Sequence, residues 1–406
     1  MKTRYLFLVL TLLSLSYNST VAQSDSTNIK VGKLYLSPLP IIASNPAFGF
    51  MYGAAASGSI FLGDPATTNM SNAMLTAAWT SKNQSLFAIK SNVYTNNNEW
   101  MLMGDWRLFL SSQPTFGLGT GPQGDNLSPG HLSIKFDDSF DDGELMDFNL
   151  IRFYQSGLKQ VAPSLYVGLG YHLDIYSEIN DHLLDLDAPN PVYTNHYLHS
   201  IKHGFDPTGY TISGASANVI YDTRDNIANP YTGRYINASY RYNAELLGSD
   251  KNSSTLWMEY RDYFNVNPEV PRNLIAVWTY ANVTTSGTLP YMALPAIGWD
   301  QMGRSGRGYA QGRWRGDDMF YAEAEYRFRL PLMATRPDLF GGVIFANATS
   351  ASNRDENVKL FQHWEPAIGA GIRIQIQKQT RTNLSIDYGW GPNGGGAIYL
   401  NLTEYF

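Results

Sequence analysis

The strongest constraint on this chain is a two-residue alternation of apolar and polar side chains, which recurs in segments of about ten residues from Ala47 onward. Successive side chains of a β-strand point to opposite faces, so each segment predicts a strand with one apolar and one polar face. The cleanest segment is 320–330, whose polar face carries Tyr321, Glu323, Glu325, Arg327 and Arg329. No long segment has the period of a helix, and Asn, Gly, Pro and Asp separate the segments. The pattern predicts an all-β protein.

The polar faces carry charges of both signs, whereas the opposite faces are almost purely apolar. A soluble all-β protein is the alternative, but its outer face is polar, while a membrane barrel has lipid outside and a wet lumen inside. Aromatic residues at 14% and charged residues at 16%, against a usual charged fraction of about 25%, also favour a barrel. We count roughly 15 strand candidates, and since bacterial single-chain barrels have even strand numbers, we predict a transmembrane antiparallel β-barrel of about 16 strands.

Three regions are predicted along the chain. Residues 1–22 have a basic start, an apolar run and small residues before the cut, as in a secretory signal peptide. Residues 23–46 form a short, proline-containing lead expected in the periplasm, and residues 47–406 form the barrel. Removal of Lys2 and Arg4 with the signal takes the net charge from −6 to −8, which argues against nucleic acid as a partner. The absence of cysteine excludes disulfides and thiol chemistry.

Three connections are long and polar, which is typical of the extracellular loops of such barrels. Two cover about 119–144 and about 176–209. The third includes the glycine-rich stretch 303–316, which we call the arginine loop because it contains Arg304, Arg307, Arg313 and Arg315. The strand that follows offers two carboxylates on its polar face.

The triplet Arg307-Gly308-Tyr309, in a long glycine-rich loop that enters a strand with an inward Glu, resembles the signature of the bacterial surface antigen family, the BamA/TamA-type outer-membrane barrels. Segments 221–226 and 229–235 resemble the strand-turn-strand segment of that family, through Asp222, Arg224, Asp225 and Gly233. The similarity is strongest over about 210–406. The two segments in this order are more specific than the triplet alone.

The resemblance implies that the loop folds back into the barrel and that acidic residues of the inner wall hold its arginine. We therefore expect a lumen latch in which Arg307 pairs with Glu325, with Glu323 as a second acid. The family pattern places a further acid on the next strand, where this sequence offers only Asn347. The alternative interpretation is a mobile surface loop with incidental charges. For the acidic and basic residues of 222–225, a charged turn at the membrane edge is the simpler interpretation.

Residues 397–406 predict a final strand with an aromatic carboxyl terminus, Phe406. This end resembles the signal by which outer-membrane barrels are recognised for assembly. Glu404 departs from it, because the signal prefers an apolar residue at that position.

Two classes of function follow from these observations. The first is an integral outer-membrane barrel of a diderm bacterium that takes part in translocation or assembly of protein or lipid. The second is a passive porin-like or structural barrel. The partners implied are outer-membrane lipids and the barrel assembly machinery needed for insertion. Because the lead is too short for the periplasmic docking domains that members of the family usually carry, we also expect a separate periplasmic or lipoprotein partner.

The sequence contains no nucleophile elbow, phosphate-binding loop, zinc-hydrolase motif or dinucleotide fingerprint, so we predict no enzyme activity and no cofactor. A barrel hydrolase with catalytic residues spread over strand ends is a distant third possibility, since it would leave no local motif. His182, His196, His199 and His203 lie in or beside the long polar loop. Without a predicted helix to align them, we interpret them as solvated loop residues and predict no metal site.

Overall fold

The computed structural model describes residues 30–45, 49–121, 143–267, 269–270, 272–300, 303–378, 380–392 and 395–406. Within them, sixteen antiparallel strands form one sheet in sequence order, as predicted. The strands are β1 Tyr35–Asn45, β2 Gly49–Ile60, β3 Ser71–Thr80, β4 Ser85–Tyr94, β5 Trp100–Thr115, β6 Glu144–Ala162, β7 Leu165–Asp181, β8 Tyr210–Asp222, β9 Gly233–Asn243, β10 Ser253–Asn265, β11 Leu274–Ser286, β12 Asp318–Leu330, β13 Phe340–Ala351, β14 Glu365–Gln377, β15 Thr382–Gly391 and β16 Gly395–Leu402. One helix, α1, spans Asn195–His203, and short 3-10 turns lie at Asn96–Asn98, Glu245–Leu247, Tyr291–Ala293 and Arg354–Glu356.

The sheet curves into a nearly closed barrel whose two edge strands are β1 and β16. β1 begins at Tyr35, within the segment 23–46 that the sequence analysis assigned to a lead. Pro38 and Pro40 obscured this strand, because proline is unusual in strands and has no N–H for a second ladder. An edge strand tolerates them, since it has a neighbour on one side only.

The inner face of the barrel is polar and its outer face is apolar, as the alternation predicts. On β12, Glu323, Glu325 and Arg327 are all at least 96% buried, while Tyr326 on the opposite face is exposed. Large aliphatic side chains on neighbouring strands also point outward, for example Ile344 on β13. A protein surrounded by water would have the reverse arrangement, so the outer face is built to contact lipid.

The long connections open at one end of the barrel, which we call the loop end. They join β5 to β6, β7 to β8, and β11 to β12, and the last of these, residues 287–317, contains the arginine loop. The opposite end, the turn end, carries the connection from β8 to β9 and the carboxyl terminus. Among the described residues, no helix has the length and apolarity needed to cross a membrane.

The predicted final strand is shorter than expected, because β16 ends at Leu402 rather than Phe406. Thr403 adopts a φ of 82°, which turns the chain out of the strand. Glu404 is then drawn inward, where its carboxylate accepts hydrogen bonds from Arg373 at 2.6 Å and from Asn383 at 2.6 Å. Glu404, the residue that does not fit the assembly signal, is thus bound inside the lumen. Phe406 is buried beside Trp278.

We expect the folded barrel to migrate faster in gel electrophoresis unheated than after boiling, because the continuous hydrogen-bonded ladder of the sixteen described strands resists unfolding by detergent. The measurement is a comparison of heated and unheated samples from purified outer membranes. Release of the protein from membranes by high salt or carbonate alone would contradict an integral barrel.

Candidate functional site in the barrel lumen

The connection from β11 to β12 folds back into the lumen and packs against the inner wall. Arg307, Tyr309 and Trp314 are each at least 97% buried. Trp314 contacts the ring of Tyr309 edge-on, with ring centroids 5.7 Å apart. The alternative of a mobile surface loop therefore does not describe this structure.

Arg307 lies at the centre of the site and contacts three carboxylates. Its Nη2 pairs with Glu323 and with Glu325, both on β12. Its Nη1 donates to Asp387 Oδ2 on β15 at 2.6 Å. All four side chains are completely buried. Burial of an ion is unfavourable unless its charge and its hydrogen-bonding groups are matched, and here the guanidinium is surrounded by acids.

Two aromatic rings and one amide complete the contacts of Arg307. Its guanidinium carbon lies 3.6 Å from the ring centroid of Phe345 and 4.0 Å from that of Tyr405. Such stacking suits the flat guanidinium and would be lost with lysine. Asn347 donates from Nδ2 to the backbone carbonyl of Arg307 at 2.9 Å, so the position that lacks the expected acid binds the loop backbone instead.

The latch continues into a second row of charges that reaches the carboxyl terminus. Arg327 donates to Glu325 Oε2 at 2.6 Å and to the main-chain carboxyl oxygen of Phe406 at 3.0 Å. Arg373 bridges Asp387 and Glu404. The loop arginine, three strands of the wall and the last residues of the chain therefore share one buried network.

Glycines allow the loop backbone to touch the wall. Gly308 has a φ of 109°, and a Cβ there would lie 2.7 Å from Ala367 Cβ. A Cβ on Gly389 would lie 2.7 Å from the backbone nitrogen of Gly308. The N–H of Gly308 donates to Tyr399 Oη at 2.8 Å, and Tyr309 Oη donates to the carbonyl of Pro366 at 2.6 Å. The Arg307-Gly308-Tyr309 triplet thus combines a charge, a close backbone approach and an aromatic anchor.

The other loop arginines are also engaged. Arg304 donates to the carbonyl of Glu404 at 2.5 Å. Arg313 lies over the rings of Phe116 and Trp314. Arg315 donates to the carbonyls of Tyr291, Met292 and Leu294. Each arginine therefore binds a different part of the fold, which fixes the loop along its length.

The second family segment forms the turn from β8 to β9 at the turn end of the barrel. Asp222 is buried and holds Arg224 through two hydrogen bonds of 2.9 and 2.8 Å. Asp225 Oδ1 accepts from the backbone N–H groups of Tyr231 and Thr232, which closes the turn. Gly233 has a φ of 94°, and a Cβ there would collide with the carbonyl of Thr223.

This turn also reaches across the barrel. Arg381, in the turn from β14 to β15, pairs with Asp225 at 2.6 Å. The N–H of Glu404 donates to the carbonyl of Ala228 at 3.1 Å. The segment is therefore more than a charged turn at the membrane edge, because it helps to hold the carboxyl terminus inside the lumen. It does not contact Arg307 directly in any described hydrogen bond or ion pair.

The interpretation of the histidines as solvated loop residues is wrong for two of them. His196 and His199 are at least 95% buried, and α1 aligns them with His203. His182 is exposed and pairs with Asp147. The sequence did contain helix signals, since Thr194 is the N-cap and Gly204, with a φ of 66°, ends the helix.

Asp387 is the principal residue of the site that was not predicted from the sequence. It lies on the polar face of β15, so alternation alone placed it in the lumen. Its contact with the arginine loop depends on barrel curvature, which brings β15 opposite a loop that enters at β12. Asp387 could not be assigned to the site from the pairing of adjacent strands, because β15 is not adjacent to β12.

An apolar outer face, a charged lumen and a loop folded into that lumen define an integral outer-membrane β-barrel. The sequence profile of the Omp85 superfamily domain matches residues 163–399, more than half of the chain. The chain therefore belongs to the Omp85 superfamily. A search of curated protein sequences finds no match.

Solved structures support the fold. The chain is similar to BamA from Haemophilus ducreyi lacking POTRA domains 1–3, with a TM-score of 0.56, 13% identity, and coverage of 91% of this chain and 70% of that chain. It is also similar to CdiB from Escherichia coli, with a TM-score of 0.51, 11% identity and coverage of 91% and 62%. For CdiB from Acinetobacter baumannii the values are 0.50, 11%, 91% and 58%. The chain thus spans about two thirds of the length of these structures.

We expect Arg307→Ala to release the arginine loop while the barrel stays folded, because removing one partner of a buried ion pair costs roughly 3 to 5 kcal/mol. Limited trypsin digestion of the detergent-solubilised barrel measures loop release at the remaining loop arginines. Arg307→Lys should restore only part of the protection, since an ammonium cannot contact acids on β12 and β15 in one plane. Arg329→Ala is the control, because its pair with Asp338 is partly exposed and long at 3.4 Å.

Double variants test whether the latch residues act on one another. We expect the effects of Arg307→Ala and Glu325→Gln on loop protection to be strongly non-additive, and the same for Arg307→Ala with Asp387→Asn. Glu325→Gln should resemble Arg307→Ala more closely than Glu323→Gln does, because Glu325 also binds Arg327. Simple additivity would mean that these groups are not energetically coupled and that the latch is wrong.

Gly308→Ala should also unseat the loop, because the added methyl group meets Ala367 in a packed wall, and such overpacking typically costs about 1 to 3 kcal/mol. Gly248→Ala is a matched control: its φ of 92° gives similar backbone strain, but a Cβ there has nothing within 4 Å. Trypsin digestion should separate the two variants. If the arginine loop is equally protected from trypsin in the two variants, the close approach of the Gly308 backbone to the wall is unimportant.

Proposed function

We propose that this barrel takes part in the translocation or assembly of protein or lipid at the outer membrane, with the latched loop as the element that keeps the lumen closed at rest. The observation that carries the proposal is the contact of Arg307 with three buried carboxylates. A passive pore gains nothing from such a plug, because a loop held across the lumen only obstructs diffusion. We therefore favour this function over a porin-like or structural barrel.

The sheet edges support the same proposal. β16 is the shortest of the sixteen described strands, with eight residues, and it ends in a segment that turns into the lumen. β1 contains two prolines, which weakens its capacity to form a second ladder. We call the boundary between these two edge strands the seam. Opening the barrel wall at the seam would break the fewest hydrogen bonds, so a client chain or lipid would pass or dock there.

The latch and the seam are linked through the carboxyl terminus. Arg304 binds the carbonyl of Glu404, and Tyr405 stacks on Arg307. Displacement of the loop would therefore release the segment that follows β16. In this proposal a client that displaces the loop also loosens the seam, which couples occupancy of the lumen to opening of the wall.

The partners proposed are outer-membrane lipids, the barrel assembly machinery during insertion, and a separate periplasmic or lipoprotein partner that delivers the client. No catalytic chemistry is part of the proposal. The fold and the family support a membrane-embedded transport or assembly role, and no buried nucleophile is needed for it.

We expect the wild-type barrel to conduct poorly in a planar bilayer and a variant lacking Gly303–Gly316 to conduct strongly, because the deletion removes the plug and the latch arginine. Single-channel recording measures the difference. Arg329→Ala should behave as wild type. A wild-type conductance equal to that of the deletion variant would instead favour the passive pore.

Depletion of the protein in its own bacterium separates the two functions in the cell. Loss of particular outer-membrane proteins or of lipid from that membrane, measured by proteomics and lipid analysis, is expected for a translocation or assembly barrel. Loss of small-solute uptake with an unchanged membrane composition would contradict the proposal.

A further inference from the structure

The loop end of the barrel contains a cluster of metal-binding side chains away from the lumen latch. Helix α1 places His199 and His203 four positions apart, so their rings lie on one face, with centroids 4.5 Å apart. The 3-10 turn Arg354–Glu356, between β13 and β14, brings Asp355 to the same face. Two imidazoles and one carboxylate, from loops distant in sequence, therefore meet at one point.

The donor atoms already have nearly the required spacing. One ligand atom from each of His199, His203 and Asp355 lies within 4.8 Å of the others. His203 Nε2 is 2.9 Å from Asp355 Oδ2. Lys202 holds the other carboxylate oxygen, Oδ1, at 2.8 Å, which leaves Oδ2 directed at the histidines. Zinc–nitrogen and zinc–oxygen distances of about 2.0 to 2.2 Å require only a modest contraction of these side chains.

His199 supplies an independent observation that points to a ligand. The residue is 95% buried, and its Nε2–H donates to the carbonyl of Leu289 at 3.0 Å. This bond fixes the tautomer and leaves a lone pair on Nδ1, for which no hydrogen-bond partner lies within the described residues. A histidine that ligates a metal through one nitrogen and donates from the other to a backbone carbonyl has this arrangement.

We propose that His199 Nδ1, His203 and Asp355 bind a divalent transition-metal ion, with Zn²⁺ as the best match, and that the ion ties the connection from β7 to β8 to the connection from β13 to β14. Two nitrogen ligands select a borderline ion such as Zn²⁺ over Mg²⁺ or Ca²⁺, which prefer oxygen. Water completes the tetrahedron, since the protein offers three ligands.

The bound ion would also affect the connection from β11 to β12, which contains Arg307. Leu289, which accepts from His199, and Tyr291, whose ring lies 5.9 Å from that of His199, both belong to residues 287–317. Arg354 pairs with Asp318 at the start of β12 at 2.7 Å. A bound ion would therefore stiffen the loop end at the place where the arginine loop enters the lumen.

The first test is isothermal titration of Zn²⁺ into the whole barrel in detergent, after dialysis against EDTA. We expect one ion per chain, and at least tenfold weaker binding for His199→Ala, His203→Ala and Asp355→Asn. His182→Ala should bind as wild type, because this exposed histidine of the same connection pairs with Asp147 instead. Mg²⁺ should not compete. Heat-dependent gel migration identifies variants that have folded, and His203, which is more exposed than His199, provides a ligand variant that disturbs packing least.

The second test measures whether the bound ion holds the two connections together. Trypsin can cut after Lys202 and after Arg354, which flank the site on the two connections. Zn²⁺ should slow both cuts in the wild type and neither in His203→Ala. The proposal is overturned if zinc binds without saturation, if the ligand variants bind it as the wild type does, if His182→Ala removes binding, or if zinc leaves both cuts unchanged.

Discussion

The buried guanidinium of Arg307 is the interaction on which the interior of this barrel depends. A charge held away from water and lipid must be matched, and the match comes from carboxylates on two strands, β12 and β15. That requirement brings the loop into the lumen and demands glycine where its backbone meets the wall. It also places the rings of Phe345 and Tyr405 against the guanidinium. The polar lumen, the glycines and the aromatic residues together allow the charge of Arg307 to be buried.

The same network explains why the end of the chain does not continue as a strand. Glu404 pairs with Arg373, which also binds Asp387, so the carboxyl-terminal residues belong to the interior rather than to the sheet. The edge strand β16 is short as a result, and the proposed seam lies beside the segment that the latch retains. In the proposed function, closure of the lumen and the strength of the barrel wall therefore depend on shared ion pairs.

Much of the fold could be predicted because a strand in a membrane barrel has a simple periodic requirement. Alternation indicated roughly 15 strand candidates, from which the even-number rule for bacterial barrels predicted about 16. It also predicted the inward direction of Glu323 and Glu325. Prediction from local sequence patterns failed where a residue type suggests one structure and the tertiary fold imposes another. Proline in β1 suggested a lead, yet an edge strand accommodates it. Helix α1 was missed because it is only nine residues long and its apolar positions are few, although its caps were present in the sequence.

The sequence by itself determined the class of fold, the charged lumen and the arginine that the lumen must neutralise. The export signal predicted for residues 1–22 lies outside the described residues and stays a prediction. Only the tertiary structure decided which acids neutralise this arginine, because Asp387 follows Arg307 by 80 positions and meets it only through curvature of the barrel. The same is true of Asp355 beside α1 and of Ala228 beside Glu404. Periodicity specifies the face on which a side chain lies, since that depends on the local backbone. The partner across a lumen depends on closure of the whole sheet, which no local pattern encodes.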